Sequence, residues 1–196
     1  MIWLCSDWHF CHDREFVYSP RGFNSIEEMN ETIIQKHNSI VLPEDDVYVL
    51  GDLMLNDNNK GIDLIKQMNG KLHIAIGNHD TTPRIELYKT LPNVVDVQYV
   101  YTFKYRKYNF YCSHYPTLTG NLEAESLHQV AINLYGHTHQ TNKFYEDRPY
   151  MYHVGVDSHD GFPVNIDTII FSMNEKVLEC KDYLDVEQTI NNLLER

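Results

Sequence analysis

Five short apolar runs in this chain each end abruptly in side chains that bind metals or carry protons, and this recurrence narrows the folds open to it. Ile2 to Cys5 leads into Asp7 and His9, Val47 to Leu50 into Gly51 and Asp52, and Leu72 to Ile76 into Gly77, Asn78, His79 and Asp80. Phe110 to Cys112 leads into His114, and Ile132 to Tyr135 into Gly136, His137, Thr138 and His139. A short apolar run closed by glycine or another turn residue reads as a buried strand. In open α/β sheets ligands bind beyond the carboxyl ends of the strands, so the five clusters are expected to converge on one site.

The segments between these runs supply helices. Ser25 and Glu28 form a capping box at the head of a helix that carries Ile26, Met29, Ile33, Ile34, His37 and Ile40 on one face. A second helix is expected from Lys60 to Asn69 with Gly70 as its C-terminal cap, and a third starts at Thr82 and Pro83 and runs to about Leu91. Val94 to Phe103 and Tyr105 to Cys112 are dense in β-formers and suggest a hairpin around Lys104 to Lys107. Tyr115 to Gln129 reads as a loop with a short helix that overhangs the ligand edge. Further β-like runs fall at Lys143 to Tyr145, Tyr150 to Val156 and Val164 to Phe171, and Asp185 caps an amphipathic helix to Leu194. Strands and helices in both halves predict two packed sheets covered by helices, in one domain spanning residues 1–196.

Charge and cysteine usage limit the partners. A net charge of −12 argues against an extended nucleic-acid footprint, which needs clustered Lys and Arg. It does not argue against a small phosphorylated substrate, because bound divalent cations would reverse the sign of the field where a phosphate sits. The N-terminus lacks a basic region and Asp7 interrupts its apolar run, so neither a signal peptide nor a membrane span is expected and the chain reads as cytoplasmic. Cys5, Cys11, Cys112 and Cys180 have no zinc-type spacing and read as reduced packing residues.

Asp7, His9, Asp52, Asn78, His114, His137 and His139 offer only oxygen and nitrogen donors, a mixture that suits Mn, Fe, Ni or Zn. Seven ligands are too many for one tetrahedral site and about right for two metals sharing a carboxylate. Asp7-x-His9, Gly51-Asp52, Gly77-Asn78-His79-Asp80, His114 and Gly136-His137-x-His139, in that order, resemble the complete signature of the calcineurin-like metallophosphoesterase superfamily. Gly22-Phe23 and Val154-Gly155-Val156-Asp157 with Pro163 are similar to its small, cap-less bacterial and phage members.

The resemblance implies a four-layer α/β/β/α sandwich with a dinuclear centre of two divalent cations per chain, manganese foremost. It implies that Asp7, His9 and His139 hold one metal, that Asn78, His114 and His137 hold the other, and that Asp52 bridges them. A metal-bridging hydroxide would then attack a phosphodiester or phosphomonoester, with His79 as general acid and Asp80 orienting it. Around this set, His12 and Tyr115 are candidates for touching substrate, and so is Arg21 as a phosphate ligand, although a solvated surface arginine is the blander reading. His37, His73, His128, His153 and His159 have no motif support. Two other readings are a nuclease for short or single-stranded nucleic acid and an inactive interaction scaffold. The scaffold is disfavoured because no ligand is missing, and a redox di-iron role because such chemistry has no use for a proton donor at His79.

Overall fold

The structure is a computed structural model that describes residues 1–119, 127, 128 and 130–194, from 181 onward as helix backbone. The chain runs β1 (Ile2–Cys5), α1 (Glu15–Tyr18), α2 (Ile26–Ile40), β2 (Asp46–Leu50), α3 (Asn58–Ile65), β3 (Lys71–Ala75) and α4 (Thr82–Tyr88). It continues through β4 (Val94–Gln98), β5 (Val100–Tyr105), β6 (Tyr108–Ser113), β7 (Ala131–Tyr135), β8 (Met151–His153) and β9 (Val164–Asn165) to α5 (Ile166–Leu194). Strands order as β4-β3-β2-β1-β9 in one sheet and β5-β6-β7-β8 in the other. Pairing is parallel from β1 to β4 and from β6 to β8, while β9 and β5 are antiparallel edges, so both sheets are mixed.

The alternation of side chains along the strands explains why the first sheet is covered on both faces. Trp3, Cys5, Val47, Val49, Leu72 and Ile74 share one core with Ile26, Met29 and Ile33 of α2 and Ile62 and Ile65 of α3. The intervening Leu4, Leu50 and Ala75 point the other way, into a second core with Phe110, Cys112, Ile132 and Leu134 of the opposite sheet. Successive strand residues face opposite sides, so an unbroken apolar run is what a strand between two layers requires. The result is two mixed sheets flanked by helices, the expected α/β sandwich. All four cysteines are free, as their spacing predicts.

Several local expectations are corrected. Val94 to Phe103 is not one strand: it breaks at Tyr99, whose ring is exposed, and β4 and β5 belong to different sheets. The run Val164 to Phe171 forms only two strand residues before α5 begins. Its β-branched content hides a helical spacing, for Ile166, Ile169, Ile170 and Met173 are buried while Phe171 is exposed. Asp185 therefore lies inside α5 rather than at the start of a helix. Gly70 does not cap α3, which ends at Ile65; with φ +98° it turns the chain into β3. The 3.2 Å bond from Glu28 N–H to Ser25 Oγ forms, but the Glu28 carboxylate reaches past Ser25 to the Asn24 amide. The N-cap of α4 is Thr81, one residue earlier than expected. The expected loop from Tyr115 to Gln129 lies partly outside the described residues.

Candidate metal centre

Both sheets aim their strand ends at one place, and close backbone packing brings those ends together. A Cβ at Gly77 would overlap Asp52 Oδ1 and stand 2.7 Å from the Asp52 nitrogen, and one at Gly136 would overlap Ser6 Oγ and Asp7 Oδ2. Only glycine permits such approaches. Asp7, His9, Asp52, His137 and His139 adopt left-handed backbone conformations, with φ of 59°, 51°, 56°, 70° and 49°. Such strain concentrates at functional sites, and here it turns each side chain out of strand geometry toward its neighbours.

Two groups of three donors form, Asp7 with His9 and His139, and Asp52 with His114 and His137; the donor atoms within each group lie within 4.8 Å of one another. These groups hold six of the seven expected ligands. The seventh, Asn78, has its Oδ1 2.9 Å from His114 Nε2. Asp52 Oδ2 lies between the groups, 3.8 Å from His9 Nε2 and 3.4 Å from His114 Nε2.

The donor chemistry fits cations. His114 Nδ1–H donates to the Leu50 carbonyl at 2.8 Å, which fixes Nε2 toward the oxygens of Asn78 and Asp52. His139 Nδ1–H donates to Asp157 Oδ2 at 2.9 Å, and its Nε2 faces His9 Nε2 at 3.2 Å. Either a proton shared by the two nitrogens or a cation bound by both satisfies this approach. Burial holds the His9 pKa well below its ordinary value, so the ring is neutral, the state a metal ligand needs. Burial also raises the Asp7 pKa, a cost that an adjacent cation removes. For Asp52, burial acts upward but is outweighed by His114 and by the His79 N–H, which bring it to about 2.

His79 belongs to neither group. Its backbone N–H donates to Asp52 Oδ1 at 2.8 Å, while its half-exposed ring puts Nε2 3.9 Å from Asp52 Oδ2. Asp80 departs from expectation. Its carboxylate accepts from the N–H groups of Gly77, Asp52 and Leu53 and from Tyr88 Oη, and no described bond joins it to the His79 ring. It fastens the Asp52 turn to the Gly77 turn, and so positions His79 through the backbone. Arg84 adds to this by donating to the His79 carbonyl at 2.6 Å.

Among the peripheral candidates, His12 Nδ1 lies 3.3 Å from His9 Nδ1, and Tyr115 packs edge-on against His114 and His137. Arg21 is neither a free phosphate ligand nor a solvated surface residue. Its Nε and Nη2 donate to the two oxygens of Asp157 at 2.7 and 2.9 Å, and Nη2 also donates to the Asp7 carbonyl at 2.9 Å. The guanidinium thus holds Asp157, which in turn holds His139. Burial opposes ionisation of Asp157, yet His139 and Arg21 keep its pKa below the ordinary carboxylate range. Asp157, Arg84 and Tyr88 carry no ligand spacing of their own, and only the glycine-bounded segment around Asp157 signals any of them.

Comparison with known proteins adds fold-level likeness. No protein-family model matches the chain. An uncharacterised protein of Methanocaldococcus jannaschii is 43% identical over 81 residues, which cover 40% of this chain and 46% of that protein, so less than half of the relative is matched. The crystal structure of a protein of unknown function from Aquifex aeolicus superposes with a TM-score of 0.60 at 21% identity, covering 84% of this chain and 94% of that one. A structure described as a novel archaeal phosphodiesterase covers 79% of this chain and 81% of its own at a TM-score of 0.42 and 15% identity. The Aquifex structure shares the fold.

Proposed function

We propose that the protein is a metal-dependent phosphoesterase acting on small phosphate esters. The observation that carries this reading is Asp52 Oδ2, which belongs to one three-donor group and lies 3.8 Å from His9 of the other, with the His79 ring beside it and outside both. When bound, two divalent cations supply activated water near neutral pH and neutralise charge on a phosphate. Asp7, His9 and His139 would hold one, Asn78, His114 and His137 the other, and Asp52 would serve both; manganese, iron, nickel and zinc all suit these donors.

The chain's own residues do the rest. His79, its ring half-exposed beside Asp52, donates a proton to the departing alkoxide, a contribution of ~10²–10⁴-fold. Asp52 accepts the His79 N–H and so ties the acid to the metal ligands. The acidic surface favours small esters over long nucleic acid.

The test is turnover of p-nitrophenyl phosphate and bis-p-nitrophenyl phosphate with Mn, Ni, Zn, Fe and Mg. Folded protein that turns over neither ester with any metal overturns the reading. His79→Ala is expected to keep both metals and lose ~10²–10⁴ in kcat, most with poor leaving groups; stoichiometric metal loss would refute its role as acid.

A further inference from the structure

Two exposed aromatic side chains flank the centre on different sides. Tyr115, 48% exposed, lies with its ring 4.8 Å from His137 and 5.1 Å from His114, both of the Asp52 group. Phe16, 72% exposed on the single turn α1, stands 5.7 Å edge-on from His12. The His12 ring in turn lies 5.3 Å from His9, of the Asp7 group, and 6.0 Å from His79. Both rings stand largely in solvent, Tyr115 directly against the Asp52 group and Phe16 one ring, His12, removed from the Asp7 group.

We propose that the site takes a phosphodiester whose two ester substituents are both flat and π-faced, one stacked on Tyr115 and the other on Phe16. This rests on the phosphoesterase reading and specifies its substrate. A diester has two substituents diverging from phosphorus; Tyr115 lies against one ligand group, and Phe16 borders the other through His12. The Phe16 side also carries His79, so the substituent there is the one that leaves: the P–O bond to it breaks, His79 gives its proton to the released oxygen, water's oxygen forms the new P–O bond, and the proton that water loses replaces the one His79 gave. The other substituent stays on phosphorus at Tyr115. Aryl groups and nucleobases share this chemistry.

The test uses ligands that resist hydrolysis, so binding is read apart from turnover. Calorimetric titration of the manganese-loaded protein compares diphenylphosphinate with dimethylphosphinate, and a dithymidine phosphorothioate represents nucleobase substituents. Diphenylphosphinate or the dinucleotide is expected to bind more tightly than dimethylphosphinate. Tyr115→Ala and Phe16→Ala are each expected to weaken that ligand by roughly 5- to 150-fold, the usual effect of losing one stacking ring, while Tyr115→Phe retains it. Dimethylphosphinate should respond to neither alanine variant. Loss in the diphenyl series assigns aryl substituents, and loss confined to the dinucleotide assigns nucleobases. If neither ligand outbinds dimethylphosphinate, or the alanine variants shift all three alike, the inference is overturned. Absence of turnover with these binding preferences intact would instead overturn the phosphoesterase reading.

Discussion

Replacing Asp157 with asparagine isolates one link in the chain of contacts that aims His139. In the native protein Arg21 grips both Asp157 oxygens, and Asp157 Oδ2 accepts from His139 Nδ1 at 2.9 Å, so Nε2 is fixed toward His9. Asparagine keeps the shape and one acceptor but removes the negative charge that makes the imidazole a stronger donor to a metal. Loss of such a supporting carboxylate typically costs 10–100-fold in metal affinity, or about 1.4–2.7 kcal/mol. Because Asp157 contacts only the His139 side, the loss should fall on one of two sites. Calorimetric manganese titration of Asp157→Asn is therefore expected to split an affinity profile, with one site weakened by that factor and the other retained. A circular dichroism melt checks that Arg21, now facing a neutral partner, has not unfolded the loop. Equal weakening of both sites, or no weakening at all, would refute the assignment of His139 to a separate group from His114.

Two further outcomes follow from packing and protonation. Gly77→Ala places a methyl against Asp52 Oδ1 and the Asp52 nitrogen; it should destabilise by about 1–3 kcal/mol, as overpacking does, and lower metal stoichiometry, measured by urea unfolding and elemental analysis. His37 is buried on α2 with Nε2 2.9 Å from the Asn69 carbonyl, and burial lowers its pKa to about 4 against that bond. The unfolded chain takes up this proton near pH 6.5 and the folded chain does not, so stability from this group is intact above pH 6.5 and falls steadily toward pH 4, by roughly 3 kcal/mol in all. Urea midpoints of wild type and His37→Gln across pH 4–7 should converge on the acid side; parallel pH profiles would show that His37 carries no such linkage.

The parts legible in the sequence were those where one local signal had one structural meaning. Ile2 to Cys5 alternates between two buried faces and ends at a turn, and β1 covers those four residues. Ser25 before an apolar stripe meant a helix start, and its Oγ accepts from the Glu28 N–H. The glycines and histidines at the strand ends pointed to one convergent site. What was not legible depended on partners distant in sequence. Arg21 reads as a surface cation until Asp157, 136 residues away, is seen to neutralise it. Asp80 reads as a partner for the adjacent His79, yet three backbone N–H groups outcompete that ring for its oxygens. Val164 to Phe171 reads as strand because β-branched residues dominate it, and the covering of Ile166, Ile169 and Met173 by the second core decides for helix.

The left-handed backbone at Asp7, His9, Asp52, His137 and His139 sets chemistry against durability. Each such residue bearing a Cβ is disfavoured by about 1–2 kcal/mol, a penalty glycine escapes. Glycine at His9 or His139 would escape that penalty, but it would also remove a buried ring at His9 or the partner of Asp157 at His139, losses of at least the same size.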